Sequence, residues 1–424
     1  MMDGDKALVG QRPSWAQSLA RRLVQGHLAK MPKGGVVLHE PDGETVSIGD
    51  TAAEGAAEIR IHDWDSYRQM MTGGALGAAE AYMDGAWDSP DLVAVVRFFA
   101  ANVEAMQALE GAAAWLAKPA LKALHAMNRN SLTGSRRNIA AHYDLGNDFF
   151  ALFLDRHMMY SSAIYPSPEA DLETAATHKL DLICQRLRLA PGMEVLEIGT
   201  GWGGLALHAA RHYGVRVTTT TISREQARFA REQVREAGLS DRIQVLEQDY
   251  RELQGRYDRI VSVEMIEAVG HQFLDEYFRV LNQRLKPEGL LLLQAITVPD
   301  QRYEYARDNV DFIKRYIFPG GFLPSVTVMC QALRKNTRLM PVGLEDIGAH
   351  YGKTIEDWRA RFISALPRIR ELGFDERFCR MWDYYLCYCQ GAFMERAIST
   401  VHLLAAGPDY RGGEGLNPGG AASI

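Results

Sequence analysis

Between residues 194 and 298 the chain carries five short runs of apolar or β-branched residues: EVLEIG, RVTTTTI, IQVLEQD, DRIVSVEM and GLLLLQAITV. GLALHAARHYG, SREQARFAREQVREAGL and QFLDEYFRVLNQRLKPEG fall among them, with apolar residues at helical spacing. Apolar strands joined through helices lie parallel and buried on both faces. The expected fold is α/β, a Rossmann-like doubly wound parallel sheet, which binds ligands beyond the carboxyl ends of its strands. Gln294 ends the leucine run of the fifth strand. It is either a polar residue at a strand tip or part of a site.

The turn after EVLEIG reads Gly199-Thr200-Gly201-Trp202-Gly203-Gly204. It satisfies G-x-G-x-x-G, a weak signal for a dinucleotide. A dinucleotide site expects an acid about 20 residues on, at the tip of the second strand. That tip is TTTTIS, without an acid, while Glu197 stands inside the first strand. The pattern E-x-G-x-G-x-G, from Glu197 through Gly199, Gly201 and Gly203, resembles motif I of class I S-adenosylmethionine-dependent methyltransferases. That resemblance implies S-adenosyl-L-methionine as cofactor, with Asp249, at the end of the third strand, near its adenine.

The flanking segments narrow the resemblance. AHYDLGNDFFALFLD, YSSAIY, LEIGTGWGG, TISREQ, RYIFPGGFLPS and, nearer the N-terminus, GGALGAAEAYMDGAWD are similar to cyclopropane-fatty-acid synthases, in the same order and over nearly the whole chain. The resemblance implies that Tyr160 and Ser161 touch the cofactor, that Gly199 and Gly201 form its turn, and that Thr221 and Gln226 meet the ribose hydroxyls. Asp249 and Tyr250 then lie at the adenine. It also implies a base, a bound bicarbonate, held by a cysteine segment, a glutamate, a histidine, a backbone amide near an isoleucine, and a tyrosine. The matching positions here are Ser162, Glu267, Gln294, Ile296 and Tyr316. Serine replaces the cysteine and glutamine the histidine. Gln294 can donate to an anion but carries no charge and shuttles no proton. Bicarbonate binding is therefore expected to be weakened.

The implied chemistry is methyl transfer to the cis double bond of an unsaturated phospholipid acyl chain. An alkene is a poor nucleophile, so the step needs an electrophilic sulfonium and a dry, aligned approach. Aromatic faces stabilise the resulting cation, and Tyr143, Phe150, Tyr165, Tyr316 and Phe318 are candidates that core packing equally explains. Loss of a proton from the new methyl closes a cyclopropane ring. Quenching elsewhere leaves a methylated or methylene-branched chain without a ring, the alternative that Gln294 and Ser162 raise. A small-molecule N-methyltransferase and a lipid-binding protein without chemistry fit less of the sequence.

Domain boundaries are expected at 1–127 for an N-terminal α+β lipid-binding domain, 128–140 for a linker, 141–406 for the catalytic domain with acyl-pocket helices, and 407–424 for a flexible tail. Trp15, Leu19, Leu23, His27 and Met31 mark one face of an N-terminal helix, and DWRARFISALPRIRELGF and CRMWDYYLCYCQGAFMERAI read as later helices over the acyl pocket. From Lys118 to Arg137 five basic residues occur without an acid. They form either a solvated linker face or a patch for anionic phospholipid, at about 1 kcal/mol per charge. The formal net charge of -6 argues against nucleic acid. Five cysteines at these spacings suggest neither a metal site nor a disulfide framework. With no run of about 20 apolar residues, the expected location is cytoplasmic, peripheral on the inner membrane, and the family implies a homodimer.

Overall fold

The computed structural model describes residues 12–52, 55–106 and 145–412. The linker, the Lys118–Arg137 segment, Tyr143 and the expected boundary near 127–141 lie outside them. Strands β5 (Glu194–Ile198), β6 (Arg216–Thr221), β7 (Ile243–Glu247), β8 (Tyr257–Val263) and β9 (Leu285–Thr297) are the five runs read from sequence. They pair in parallel with β5 and β8 central. Leu290 to Leu293 of β9 are buried, each contributing about 1.5–3 kcal/mol. The helices Gly204–Tyr213, Arg224–Glu236 and Leu274–Arg284 connect or flank these strands.

Two further strands complete the sheet, β10 (Met340–Asp346) and β11 (Ser399–Ala406), in the order β10-β11-β9-β8-β5-β6-β7. β11 runs antiparallel to β9, with His402 opposite Gln294. The sheet is therefore mixed rather than wholly parallel. β10 is exposed throughout, with Pro341 and Gly343 at a register shift, a composition tolerated only at an edge. The chain after Ala406 is tied to β9: Gly407 N–H donates to the Gly289 carbonyl at 2.9 Å and Asp409 N–H to Pro287 at 2.9 Å. The expected flexible tail thus begins in an ordered segment, through residue 412.

Before the large sheet, β1 (Gly35–His39), β2 (Thr45–Gly49), β3 (Ala57–Ile61) and β4 (Trp87–Asp88) form a second sheet in the order β2-β1-β3-β4. Helix Trp15–Leu28 starts on a Ser14–Gln17 capping box. Its expected apolar face points outward: Trp15 is 80% exposed, Leu19 43% and Leu23 44%, while Ala20 and Leu28 pack inward. Helix Glu376–Met394 crosses helix Leu92–Ala101 so closely that a Cβ on Gly391 would lie 2.7 Å from the Val96 side chain. A single apolar cluster runs from β1 and β3 through Phe149, Phe150 and Trp382.

Candidate active site

One cavity of about 1680 Å³ runs from the glycine turn, past the carboxyl ends of β5, β8 and β9, to β3 and helix Leu92–Ala101. Its cofactor end is built by backbone conformation. Gly199 (φ 101°) and Gly201 (φ 52°) take left-handed angles that turn the chain beneath the cavity floor. Gly203 is different. It does not line the cavity, and a Cβ there would meet the Ala230 Cβ at 3.2 Å. Its role is to let two helices approach, which corrects its expected place at the cofactor.

Glu197 lies at the cavity floor, and its Oε2 is buried without a partner. Burial pushes its carboxyl up to about 8. Lys179, fully buried nearby, is pushed down to about 8 by burial against the pull of Glu264, Asp155 and Glu197, and donates to Ser161 Oγ at 2.8 Å. Thr221 Oγ donates to Gln226 Oε1 at 2.9 Å, leaving the glutamine's N–H groups as donors at the cavity. An unpartnered buried carboxylate oxygen, a neutral hydroxyl–amide pair and a turn that brings backbone close fit the ammonium, ribose and amino-acid ends of S-adenosylmethionine. Asp249 and Tyr250 also line the cavity, but both carboxylate oxygens of Asp249 are held by Arg251, at 2.8 and 2.7 Å. The Tyr250 ring is then the surface left for an adenine.

Beyond the turn, Tyr160 lies against Phe150, Trp358 and Phe318, and its hydroxyl meets that of Tyr385 at 2.9 Å. Phe318, Tyr351, Tyr384, Tyr385, Tyr388 and Phe393 continue this aromatic wall, the last four from helix Glu376–Met394. Of the other aromatic candidates, Phe150 is core, and Tyr165 stacks on His350 and donates to Asp357 at 2.8 Å, away from the cavity.

The polar end of this wall contains two buried glutamates. Glu267 Oε1 accepts from Ile296 N–H at 2.5 Å, while its Oε2 is buried and unpartnered. Glu264 accepts three hydrogen bonds: from Ser162 N–H at 3.0 Å, Gln294 Nε2 at 2.7 Å and Tyr351 O–H at 2.7 Å. Burial, with the Glu264 charge beside it, pushes Glu267 up to about 8. Burial also raises Glu264, opposed by its three donors and by Lys179. Gln294 belongs to the site, 1% exposed, but faces a carboxylate of this chain.

The structure therefore brings Ser162, Gln294, Ile296 and Glu267 together as expected, and separates Tyr316 from them. The Tyr316 hydroxyl donates to Glu80 on helix Asp65–Met83 at 2.6 Å. The tyrosine at the cluster is Tyr351, on helix Gly348–Ser364, in the segment GAHYGKT. Glu264 and His402 were also missed. Glu264 follows β8 one residue beyond the Val263–Gln294 pair, so an acid at that strand tip was a readable signal. His402 lay on a strand that composition did not reveal. Against a bound bicarbonate, the site does not fit: the Ser162, Gln294 and Tyr351 donors are spent on Glu264, and Ile296 N–H on Glu267.

The chain is similar to known proteins over most of its length. Residues 130–403 match the family model described as mycolic acid cyclopropane synthetase. The chain is 40% identical over 366 residues to the cyclopropane-fatty-acyl-phospholipid synthase of Escherichia coli, covering 85% of this chain and 91% of that one. It is 39% identical over 374 residues to the tuberculostearic acid methyltransferase UfaA1 of Mycobacterium tuberculosis, covering 85% and 87%. Among solved structures, mycolic acid cyclopropane synthase CmaA1 complexed with SAH and CTAB superposes with a TM-score of 0.60 at 30% identity, over 64% of this chain and 98% of that one.

Proposed function

The chain belongs to the mycolic acid cyclopropane synthetase family, and from that premise we propose that it modifies the cis double bonds of unsaturated phospholipid acyl chains and closes cyclopropane rings. It is an S-adenosylmethionine-dependent methyltransferase, and the cofactor, when bound, supplies the electrophilic methyl group. The observation that carries the reading is the continuous cavity of about 1680 Å³, which joins the glycine turn to an apolar, aromatic-walled region suited to an acyl chain. Glu197, Gln226 and the glycine turn hold the cofactor. The walls exclude water, and the rings of Tyr160, Phe318, Tyr351 and Tyr385 offer π faces to a cation on the chain.

Methyl branching is the second reading. It is favoured by the similarity to a tuberculostearic acid methyltransferase and by Gln294 in place of a titratable side chain. Lipids of a host expressing the protein and fed methyl-deuterated methionine separate the two. A saturated ring that keeps two deuteriums supports cyclopropanation; a branch that keeps three supports methylation with the cation quenched elsewhere. Unlabelled lipid overturns both.

Among the described residues no helix is long and apolar enough to cross a membrane. Access to phospholipid is assigned to a peripheral mode on the cytoplasmic face. The outward Trp15, Leu19 and Leu23 on one helix and the basic Lys118–Arg137 segment support it. Flotation with anionic vesicles is expected to carry the protein upward and to weaken with added salt. A homodimer, as the family implies, is checked by sedimentation.

A further inference from the structure

Building on the acyl-chain reading above, we propose that Glu264 is the base of this enzyme: its carboxylate takes the proton from the transferred methyl group, in the place a bicarbonate ion would occupy. Four observations converge on it.

The first is backbone geometry. Glu264, immediately after β8, has φ 46°, a left-handed angle that a side chain adopts at a cost of about 1–3 kcal/mol. Its N–H donates to the Gln294 carbonyl at 2.8 Å, which holds it there. A glycine takes that angle freely, so a strained glutamate at a strand tip, lining the cavity, requires a reason.

The second is the donor set. Ser162 N–H, Gln294 Nε2 and Tyr351 O–H all point at this one carboxylate. They are what an anion in this position needs, and the chain satisfies them with its own anion.

The third is charge. A free anion beside Glu264 and Glu267 would add negative charge to a buried place that already holds two carboxyl groups, and Gln294 offers no positive charge against it. Glu267 is the poorer acceptor: its carboxyl has a single donor, Ile296 N–H, where Glu264 has three, and burial beside the Glu264 charge favours its protonated form. Lys179 is the buried cation whose charge favours the Glu264 carboxylate.

The fourth is orientation. Arg186 donates to His402 Nδ1, so the His402 proton sits on Nε2 and is donated to Gln294 Oε1 at 2.9 Å. This fixes the amide with its N–H groups toward Glu264. His402 and Arg186 are positioning residues, reaching the site across β11 and β9.

The step balances. The alkene π pair forms the bond to the incoming methyl carbon as the methyl–sulfur bond breaks and leaves its pair on sulfur. The neighbouring chain carbon becomes cationic. Glu264 removes one methyl proton, and the released C–H pair forms the third ring bond, which cancels the charge.

The test compares the purified wild-type protein with Glu264→Gly on vesicles of dioleoylphosphatidylglycerol, in buffer stripped of carbon dioxide and again with bicarbonate restored. Glycine relieves the left-handed angle, so Glu264→Gly is expected to fold and to bind S-adenosylhomocysteine by calorimetry as the wild type does. The wild type is expected to work equally with and without bicarbonate. Glu264→Gly is expected to lose about 100-fold or more in rate and to regain part of it with bicarbonate, now free to take the vacated donors. A wild type that needs added bicarbonate, or a Glu264→Gly protein that keeps its rate without it, overturns the proposal. If Glu264→Gly does not bind S-adenosylhomocysteine, the wild-type comparison alone decides. A wild type that binds cofactor yet makes no modified lipid overturns the acyl-chain reading itself.

Discussion

At the scale of single residues, the site is governed by what burial does to carboxyl groups. Glu197 and Glu267 are pushed from 4.5 up to about 8. The folded protein then keeps protons that the unfolded chain releases above pH 4.5, so stability falls as pH rises between 4.5 and about 8. Thermal unfolding of the cofactor-free protein across that range is expected to show the decline, and Glu267→Gln to flatten part of it. Tyr351→Phe removes a donor from the Glu264 carboxylate while Lys179, Glu267 and Tyr385 still face it. Losing a bond to the charged form raises that carboxyl, so the acidic limb of the rate profile is expected to move to higher pH, with kcat down about tenfold. Glu197 was legible from its spacing before the glycine turn, whereas Thr221 and Gln226 were suggested only by the family resemblance. Tyr351 was not, because RYIFP and GAHYGKT each offer a tyrosine and only packing tells which one reaches Glu264.

At the scale of elements, the parallel strands were legible because strands buried on both faces must be apolar along their whole length. β10 and β11 were not. β10 is an exposed edge with Pro341 and Gly343, and β11 abuts a glycine-rich segment that reads as tail. The same limit hid His402. The crossing of helix Glu376–Met394 on Leu92–Ala101 depends on the missing side chain at Gly391. Gly391→Leu is expected to force these helices apart and cost about 1–3 kcal/mol, read as a lowered unfolding midpoint. Gly203→Val would strain a φ of 92° and press on Ala230, with a loss of similar size.

At the scale of the molecule, one cavity is shared by the large sheet and the N-terminal sheet and helices. Ala100, on helix Leu92–Ala101, lines it far from the glycine turn. Ala100→Phe is expected to shorten the channel, lowering the rate on long acyl chains relative to short ones while leaving S-adenosylhomocysteine affinity unchanged. Competition assays with vesicles of two chain lengths, alongside calorimetry, check both halves.

Sequence by itself determined the α/β sheet and the glycine turn with Glu197 ahead of it. Each of these is a local pattern: periodicity, a required backbone angle, or residues a few positions apart. Only the tertiary structure decided that Gln294 faces Glu264, that Tyr351 rather than Tyr316 completes the cluster, and that the site holds a carboxylate of its own. Those facts join β8, β9, β11 and helix Gly348–Ser364, elements far apart in the chain. A hydrogen bond between them is fixed by how the sheet edge and its covering helices pack, which no stretch of sequence contains.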